Sequence, residues 1–213
     1  MSKVEHILEV LNMMYPDAHV ELTHKNNFEL LVAVVLSAQT TDISVNKVTP
    51  SLFNTYPDAY HLSQAHPKDV ETYIKSIGLY KNKSTNIVNL AKALVEKHDG
   101  KVPGDRKSLE ALPGVGRKTA NVVLSNAFNI PALAVDTHVA RVSKRLGLAK
   151  IDDDVLEIEK KLNRKIPKAY WTKVHHQLIF FGRYHCLAKN PKCGDCPLFD
   201  ICKFSEKNEY KTK

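Results

Sequence analysis

The four cysteines of this chain are confined to one short segment near its C-terminal end, and that segment constrains the fold more than any other feature. It reads CLAKNPKCGDCPLFDIC, with the spacing C-x6-C-x2-C-x5-C, and the residues before it contain no cysteine. Thiolates this close together can meet at one site, as the ligands of a metal ion or a metal cluster must. The candidate metal ligands are Cys186, Cys193, Cys196 and Cys202.

The cysteine spacing alone leaves the metal open. Four thiolates suit a tetrahedral zinc ion, and they equally suit one 4Fe-4S cube. Four unligated thiols are a third interpretation, which accounts less well for so dense a cluster. The first loop of the segment also contains Lys189 and Lys192, which a metal-ordered backbone would present to phosphates.

The charge of the chain favours an anionic partner. It contains 31 Lys and Arg against 23 Asp and Glu, a formal net charge of +8. Nucleic acid and an acidic membrane surface both fit that excess. The longest apolar run, residues 30–36, is too short to span a bilayer, and the acidic residues near the N-terminus argue against a signal or transit peptide. We therefore expect a cytoplasmic protein that binds nucleic acid and no membrane.

Apolar residues recur at helical spacing along most of the chain, and sustained alternation with a period of two is absent. Pro67 is expected in the first turn of one helix, and Asp152 or Asp153 at the N-cap of another. The segment NFELLVAVVLSAQTTD is apolar almost all round, which predicts a central buried helix. The polar tail SEKNEYKTK predicts a frayed end. The sequence therefore predicts an all-α protein.

The segment LEALPGVGRKTANVVL breaks two apolar runs with a tight turn. Gly114 and Gly116 permit that turn, and the amides that open the next helix point outward, where a phosphate can bind. Arg117 and Lys118 lie where the helix dipole disfavours cations, a cost that a bound phosphate offsets. A plain surface turn is the alternative. Lys118 is either a phosphate contact or a nucleophile, since the helix end and Arg117 favour its unprotonated amine.

The segment AVDTHVARV contains the carboxylate that a nucleophilic lysine needs. Asp136 lies between apolar Val135 and the beginning of a helical run, so its simplest role is that of an N-cap. A carboxylate there can also position the amine of Lys118 and stabilise positive charge that develops on a sugar. The sequence alone leaves both roles open.

In their order along the chain, these segments resemble the endonuclease III family of DNA glycosylases, within the helix-hairpin-helix superfamily. LPGVGRKTANVVL is similar to the family's hairpin with its lysine, VDTHV to its aspartate segment, and the cysteine run to its 4Fe-4S loop. LLVAVVLSAQTTD and IGLYKNKS resemble two further family segments. The likeness covers nearly the whole chain except the terminal tail.

The resemblance implies a bifunctional DNA glycosylase and abasic-site (AP) lyase of base excision repair. Such an enzyme removes oxidised pyrimidines from duplex DNA and cuts the strand 3′ to the abasic site by β-elimination through a lysine Schiff base. Lys118 would be the nucleophile, Asp136 its catalytic partner, and the four cysteines the ligands of a 4Fe-4S cluster. A lysine at position 118 argues against the branch that removes adenine from mismatches.

The resemblance also implies how DNA is held open. Gln39 is expected to enter the space left by a flipped nucleotide, and Leu79 to wedge into the opposite strand. Without the resemblance, these residues would be interpreted as a polar helix terminus and an ordinary core leucine. The expected DNA contacts are Gln39, Leu79, Gly114, Gly116, Arg117, Lys189 and Lys192.

The family architecture implies two helical domains with DNA bound in the cleft between them. A six-helix barrel is expected at residues 22–131, with the helix-hairpin-helix motif at about 105–127. Residues 1–21 and 132–213 are expected to form the cluster-bearing domain, with the 4Fe-4S loop at 186–202. We expect a monomer that binds double-stranded DNA containing oxidised pyrimidines or abasic sites and that associates with the bacterial nucleoid.

Two other functions are compatible with the residues. A metal-stabilised DNA-binding module needs only the basic charge, the hairpin and the cysteine loop, whereas Lys118 together with Asp136 favours an enzyme. A zinc-containing nucleic-acid protein would be colourless because the d shell of zinc is full, whereas a 4Fe-4S protein is yellow-brown.

Overall fold

The computed structural model describes residues 2–211, and the regular structure in them is helical, with no β-strand. The all-α prediction is confirmed. None of the described helices combines the length and the hydropathy that crossing a bilayer requires. The α-helices of the described residues are α1 (Lys3–Met14), α2 (Asn27–Leu36), α3 (Asp42–Thr55), α4 (Ala59–Ser63), α5 (Pro67–Ile74), α6 (Tyr80–His98), α7 (Arg106–Glu110), α8 (Arg117–Ala127), α9 (Thr137–Arg145), α10 (Val155–Lys165) and α11 (Trp171–Tyr184).

The contacts within the chain divide it into two units. One unit is Glu21–Ile130, which contains α2 to α8. The residues before and after it form the other unit, which contains α1 and α9 to α11. Two of the helices in Glu21–Ile130, α4 and α7, are single turns of five residues.

Helix α2 is the centre of the unit Glu21–Ile130. Asn26 caps it, with the side chain accepting a hydrogen bond from the Glu29 amide, and every residue from Phe28 to Leu36 is buried. The helix packs against α3, α6 and α8. The prediction of a central buried helix is confirmed. The polar segment that follows α2 lies at the surface.

The apolar faces of the four helices in the other unit form a second core, because each helix places its large aliphatic residues on one side. Helices α9 and α11 cross closely at Gly182, where an added Cβ would lie 2.9 Å from the Cβ of His138. This crossing fixes the beginning of α9, where Asp136 lies, and the end of α11, from which the cysteine segment continues.

Two details of the helix boundaries test the sequence interpretation. Pro67 begins α5, as predicted. The predicted cap at Asp152 or Asp153 is wrong, because Asp154 caps α10 by accepting a hydrogen bond from Glu157. Asp153 instead pairs with Lys161 at 2.6 Å. With three consecutive aspartates, the packing of α10 against the core decides which one becomes the cap.

The C-terminal tail packs against the cysteine segment, so the prediction of a frayed end is wrong for the tail as far as residue 211. Residues Lys207–Tyr210 form a 3₁₀ turn, and the rings of Phe204 and Tyr210 stack at 6.3 Å. The Lys207 ammonium donates to the carbonyls of Phe199 and Cys202 at 2.7 and 2.9 Å. The last two residues of the predicted frayed segment lie outside the described residues.

Candidate functional site

The hairpin between α7 and α8 owes its shape to one glycine. Gly114 has φ of 76°, in the left-handed region, and a Cβ there would lie 3.2 Å from Val35 and 3.2 Å from Asn86. A side chain is therefore disfavoured twice, by the backbone conformation and by the close approach of α2 and α6. Leu112 and Val115 are buried on either side of the turn, so it is anchored to the core.

The beginning of α8 is open to solvent. Gly116 is its N-cap, and no side chain among the described residues caps its first turn. A Cβ at Gly116 would meet nothing within 4 Å, so the backbone there is accessible to a ligand. Arg117 and Lys118, both exposed, follow directly. Uncapped amides next to two cations are the arrangement that binds a phosphate.

Gln39 and Leu79 share an uncommon backbone conformation. Gln39 lies between α2 and α3 with φ of 53°, and Leu79 directly precedes α6 with φ of 59°. Both residues are exposed, and Leu79 has 56% of its surface accessible. Left-handed backbone at residues with a Cβ costs energy and is concentrated at functional sites. The interpretation of Leu79 as a core leucine is therefore excluded.

Asp136 is the N-cap of α9. Its Oδ1 accepts a hydrogen bond from the Val139 amide at 2.8 Å, so the cap interpretation is confirmed. The preceding apolar residues are buried, and the Ala134 carbonyl lies 2.9 Å from Nδ1 of buried His175. Burial lowers the pKa of the neighbouring His138, while the charge of Asp136 acts in the opposite direction.

The four cysteines line one cavity. Cys193 is buried, and the other three are half-buried. The cavity wall also includes the rings of Phe181, Phe199 and Phe204, and His185. Nε2 of His185 is buried without a hydrogen-bond partner among the described residues. A cavity lined by aromatic rings and four thiols, with an unpaired polar atom, fits a buried inorganic group.

The number of thiols on this cavity suits a 4Fe-4S cube, which takes four thiolate ligands. In a 4Fe-4S cube each thiolate binds a different iron, so the four sulfurs stand farther apart than around zinc. Burial raises the pKa of Cys193, and it raises that of Cys196 to about 11. These thiols therefore become thiolates when metal displaces their protons.

Arg145, in the last turn of α9, contacts the candidate cluster site, and the sequence interpretation missed it. Its guanidinium donates to the Leu187 carbonyl at 2.7 Å and to Sγ of Cys186 at 3.3 Å. It also lies 3.9 Å above the ring of Phe204. One side chain thus contacts the beginning of the cysteine segment and the ring of Phe204, two residues beyond its end. Only sequence-distant contacts reveal it, because an arginine in a last helical turn is unremarkable by itself.

Lys189 and Lys192 are exposed in the first loop of the cysteine segment. Asn190 between them has φ of 51°, and the Lys192 amide donates to the His185 carbonyl at 3.1 Å. The loop therefore follows a defined path that leaves both ammonium groups accessible to solvent.

The predicted site residues fall into two groups. The hairpin residues lie in the unit Glu21–Ile130 with Gln39 and Leu79. Asp136, the cysteines and the loop lysines lie in the other unit. Each unit thus combines an exposed basic segment with one residue of the predicted catalytic pair.

Comparisons with known proteins identify the family of the chain. Residues 32–168 match the family of HhH-GPD superfamily base excision DNA repair proteins, and residues 186–202 match the iron-sulfur binding domain of endonuclease III. Endonuclease III of Bacillus subtilis (strain 168) is 52% identical over 211 residues, covering 99% of this chain and 96% of the relative.

Two solved structures resemble the whole fold. A non-covalent endonuclease III–DNA complex superposes with a TM-score of 0.94 at 52% identity, covering 100% of both chains. A trapped endonuclease III–DNA covalent intermediate superposes with a TM-score of 0.92 at 53% identity, covering 98% of this chain and 99% of the other.

The fold and the cysteine segment define a helix-hairpin-helix protein of base excision repair with an iron-sulfur domain. Within that class, the chain belongs to the endonuclease III family. It is a bifunctional DNA glycosylase and AP lyase, and its cofactor is a 4Fe-4S cluster.

Proposed function

We propose that the enzyme removes oxidised pyrimidines from duplex DNA, also acts on abasic sites, and cuts the strand 3′ to the site by β-elimination. The observation that carries this proposal is the exposed Lys118 in the uncapped first turn of α8. A phosphate held by the amides of that turn brings the deoxyribose of the same strand toward the amine. Support comes from the relative whose complex with DNA was trapped as a covalent intermediate.

The first step is extrusion of the damaged nucleotide, because a lysine cannot reach C1′ inside a stacked duplex. Gln39 enters the vacated space and its amide replaces lost base contacts, while Leu79 wedges into the opposite strand. Their exposure and left-handed backbone support these roles, since a strained, solvent-exposed leucine contributes little to the core.

The second step is covalent. The neutral amine of Lys118 attacks C1′, the glycosidic bond breaks, and the base leaves with the bonding electrons and takes up a proton. The sugar ring opens to a Schiff base, which accepts electrons when a base removes the C2′ proton. The C3′–O bond then breaks, and hydrolysis of the Schiff base releases Lys118. Asp136 acts in proton transfer and stabilises the positive charge on the sugar and the amine.

The cysteine segment serves DNA binding in this proposal. Cys186, Cys193, Cys196 and Cys202 hold the cluster, which supplies a rigid centre for the loop. Lys189 and Lys192 then contact DNA phosphates, a role supported by their exposure on a defined backbone. We further propose that the enzyme acts as a monomer at the bacterial nucleoid, in the cytoplasm.

Borohydride trapping on a panel of duplexes, each carrying one lesion, tests the proposal. Reduction of the Schiff base links enzyme to DNA, so oxidised pyrimidines and abasic sites should give adducts and undamaged duplex none. Peptide mapping should locate the adduct at Lys118. An adduct at another residue would assign the nucleophile elsewhere. Binding without any adduct would leave a DNA-binding module, and adducts restricted to other lesions would replace the proposed substrate class.

A further inference from the structure

Lys83, in the first turn of α6, is a buried lysine that the proposed mechanism does not use. Only 4% of its surface is accessible, and burial lowers its pKa. Its ammonium donates to Oγ1 of Thr40 at 2.6 Å, so its hydrogen bond goes to a neutral hydroxyl and not to a carboxylate. A buried ammonium is costly, so this one is expected to have a function that an apolar side chain lacks.

The hydrogen bond from Lys83 reaches the turn that contains Gln39. The Thr40 hydroxyl accepts from Lys83 and lies 3.4 Å from the Ala38 carbonyl, to which it donates. The Thr40 hydroxyl therefore links the two neighbours of Gln39 in the chain, Ala38 and Thr40, and Lys83 is bonded to the same hydroxyl. The turn is closed further by the Thr40 amide, which donates to the Ser37 carbonyl at 3.1 Å.

The backbone of the same lysine reaches Leu79. The Lys83 amide donates to the Leu79 carbonyl at 3.0 Å. The side chain of Lys83 is thus bonded to Thr40, the residue next to left-handed Gln39, and its main-chain amide to left-handed Leu79, although Thr40 and Lys83 are 43 residues apart in the sequence. Such backbone conformations persist at residues with a Cβ only where the surroundings hold them.

We propose that Lys83 is a positioning residue that ties the Gln39 turn to the Leu79 turn, so that the two side chains enter duplex DNA together. The inference rests on the proposed function, because it takes Gln39 and Leu79 as the inserting residues. A lysine suits this role since its long stem reaches the neighbouring turn and its ammonium makes a charge-assisted bond there.

The tie is tested without DNA by amide hydrogen exchange in the iron-loaded protein. Lys83→Met keeps most of the length of the lysine side chain, and Thr40→Val keeps the branched shape of threonine, but each removes the hydrogen bond between residues 83 and 40. Either change should accelerate exchange of the main-chain amide of residue 40 by about tenfold, the loss expected for a bond to a charged group. Lys81→Met, an exposed lysine on the same turn, is the matched control and should leave the exchange rate unchanged. Unchanged exchange in Lys83→Met would overturn the tie.

The positioning role is tested by single-turnover excision from two duplexes. In one the lesion faces a base, and in the other it faces an abasic site, where there is no opposite base to separate. Lys83→Met should slow excision about tenfold on the first duplex and much less on the second. Equal loss on both duplexes would overturn the role. The Lys83→Met/Thr40→Val double variant should be no slower than Lys83→Met, and additive losses would show that the residues act separately.

Gln39→Ala and Leu79→Ala separate this inference from the proposed function. If both slow excision on the first duplex while Lys83→Met does not, insertion stands and the positioning role is overturned. If neither Gln39→Ala nor Leu79→Ala slows excision, the proposed insertion of these side chains is wrong, and the positioning role of Lys83 is overturned with it. Borohydride trapping tests Lys118 independently of that result. The inference requires that all three variants lose rate preferentially on the duplex with the facing base.

Discussion

The hairpin of α7 and α8 and the cysteine loop at 186–202 both present a pair of basic residues to solvent, but they are held by different means. The hairpin is anchored by buried Leu112 and Val115 and by Gly114, which lets the backbone approach α2 and α6. The loop contains little regular structure and converges on a cavity lined by four thiols, with Arg145 bonding to its first residues.

This difference separates the two surfaces that we propose bind DNA. The hairpin is shaped by the packing of the chain itself, so it should form without the cofactor. The loop is expected to depend on the cluster, because the free energy of metal binding contributes to the free energy of folding at such sites. We therefore expect this protein to have one surface built into the helical core, the hairpin, and one whose order is conditional on iron, the cysteine loop.

Replacing the hairpin lysine should have the largest effect and leave the hairpin itself intact. Lys118→Gln keeps a polar side chain, one bond shorter, but removes the nucleophile, so excision and strand cleavage should fall by about 10³-fold or more. The measurement is single-turnover cleavage with borohydride trapping, beside duplex affinity. Arg117→Gln is the matched control, which should weaken binding and keep the adduct. Retention of the adduct in Lys118→Gln would refute the assignment.

Asp136→Asn separates the chemical from the structural role at the beginning of α9. Asn caps a helix nearly as well as Asp, so the fold should be kept, while the rate should drop by about 10²-fold if the carboxylate acts in proton transfer. Thermal unfolding and single-turnover rates report on the two roles separately. Full activity at unchanged DNA affinity would leave Asp136 as a cap only.

Replacing one cysteine should disorder the cysteine loop and leave the hairpin of α7 and α8 intact. Cys196→Ser should bleach the broad absorption near 400 nm, roughly the region of Fe–S charge transfer. DNA affinity or protein yield should fall before the chemical step does, because the hairpin and Lys118 do not depend on the loop. Iron content, absorbance and affinity are measured together. Wild-type affinity in an iron-free variant would contradict the ordering role of the cluster.

Removing both lysines of the cysteine loop measures how much this loop contributes to DNA affinity. Lys189→Ala with Lys192→Ala should lower affinity for damaged and undamaged duplex alike, since phosphate contacts carry little base information. The plot of log affinity against log salt should flatten by about 0.9 per contact, or roughly 2 in all. Lys92→Ala with Lys97→Ala, two exposed positions on α6, is the charge-matched control. An unchanged slope would make the loop lysines solubility residues.

A glycine substitution in the hairpin tests whether the hairpin and the cysteine loop are stabilised independently, and it should have the smallest effect of these changes. Gly114→Ala places a Cβ at φ of 76° and 3.2 Å from Val35, so the free energy of unfolding should fall by about 1–3 kcal/mol. Gly78→Ala, with open space around it and no left-handed backbone, is the control. Thermal unfolding with intact cluster absorbance would show that the two surfaces are stabilised independently. A joint loss would show that they are coupled.

Much of this protein could be predicted from local sequence patterns, since local patterns determine local geometry. Four cysteines within one short segment, two glycines at a turn and an aspartate before a helical run each specify their own neighbourhood. The all-α class followed from periodicity, and the buried α2 followed from a run that is apolar on every side. The roles of Gln39 and Leu79 required the family resemblance, because a glutamine after a helix and a leucine after a glycine carry no distinctive pattern.

The tertiary structure decided what depends on residues far apart in the chain. Only packing shows that Leu79 is exposed, that Asp154 and not Asp153 caps α10, and that the polar tail folds back onto the cysteine segment. Arg145 and Lys83 become visible only through partners more than 40 residues away. A sequence specifies caps, turns and apolar faces directly because these depend on neighbours in the chain. Which buried cation meets which distant carbonyl or hydroxyl is determined only when the helices pack.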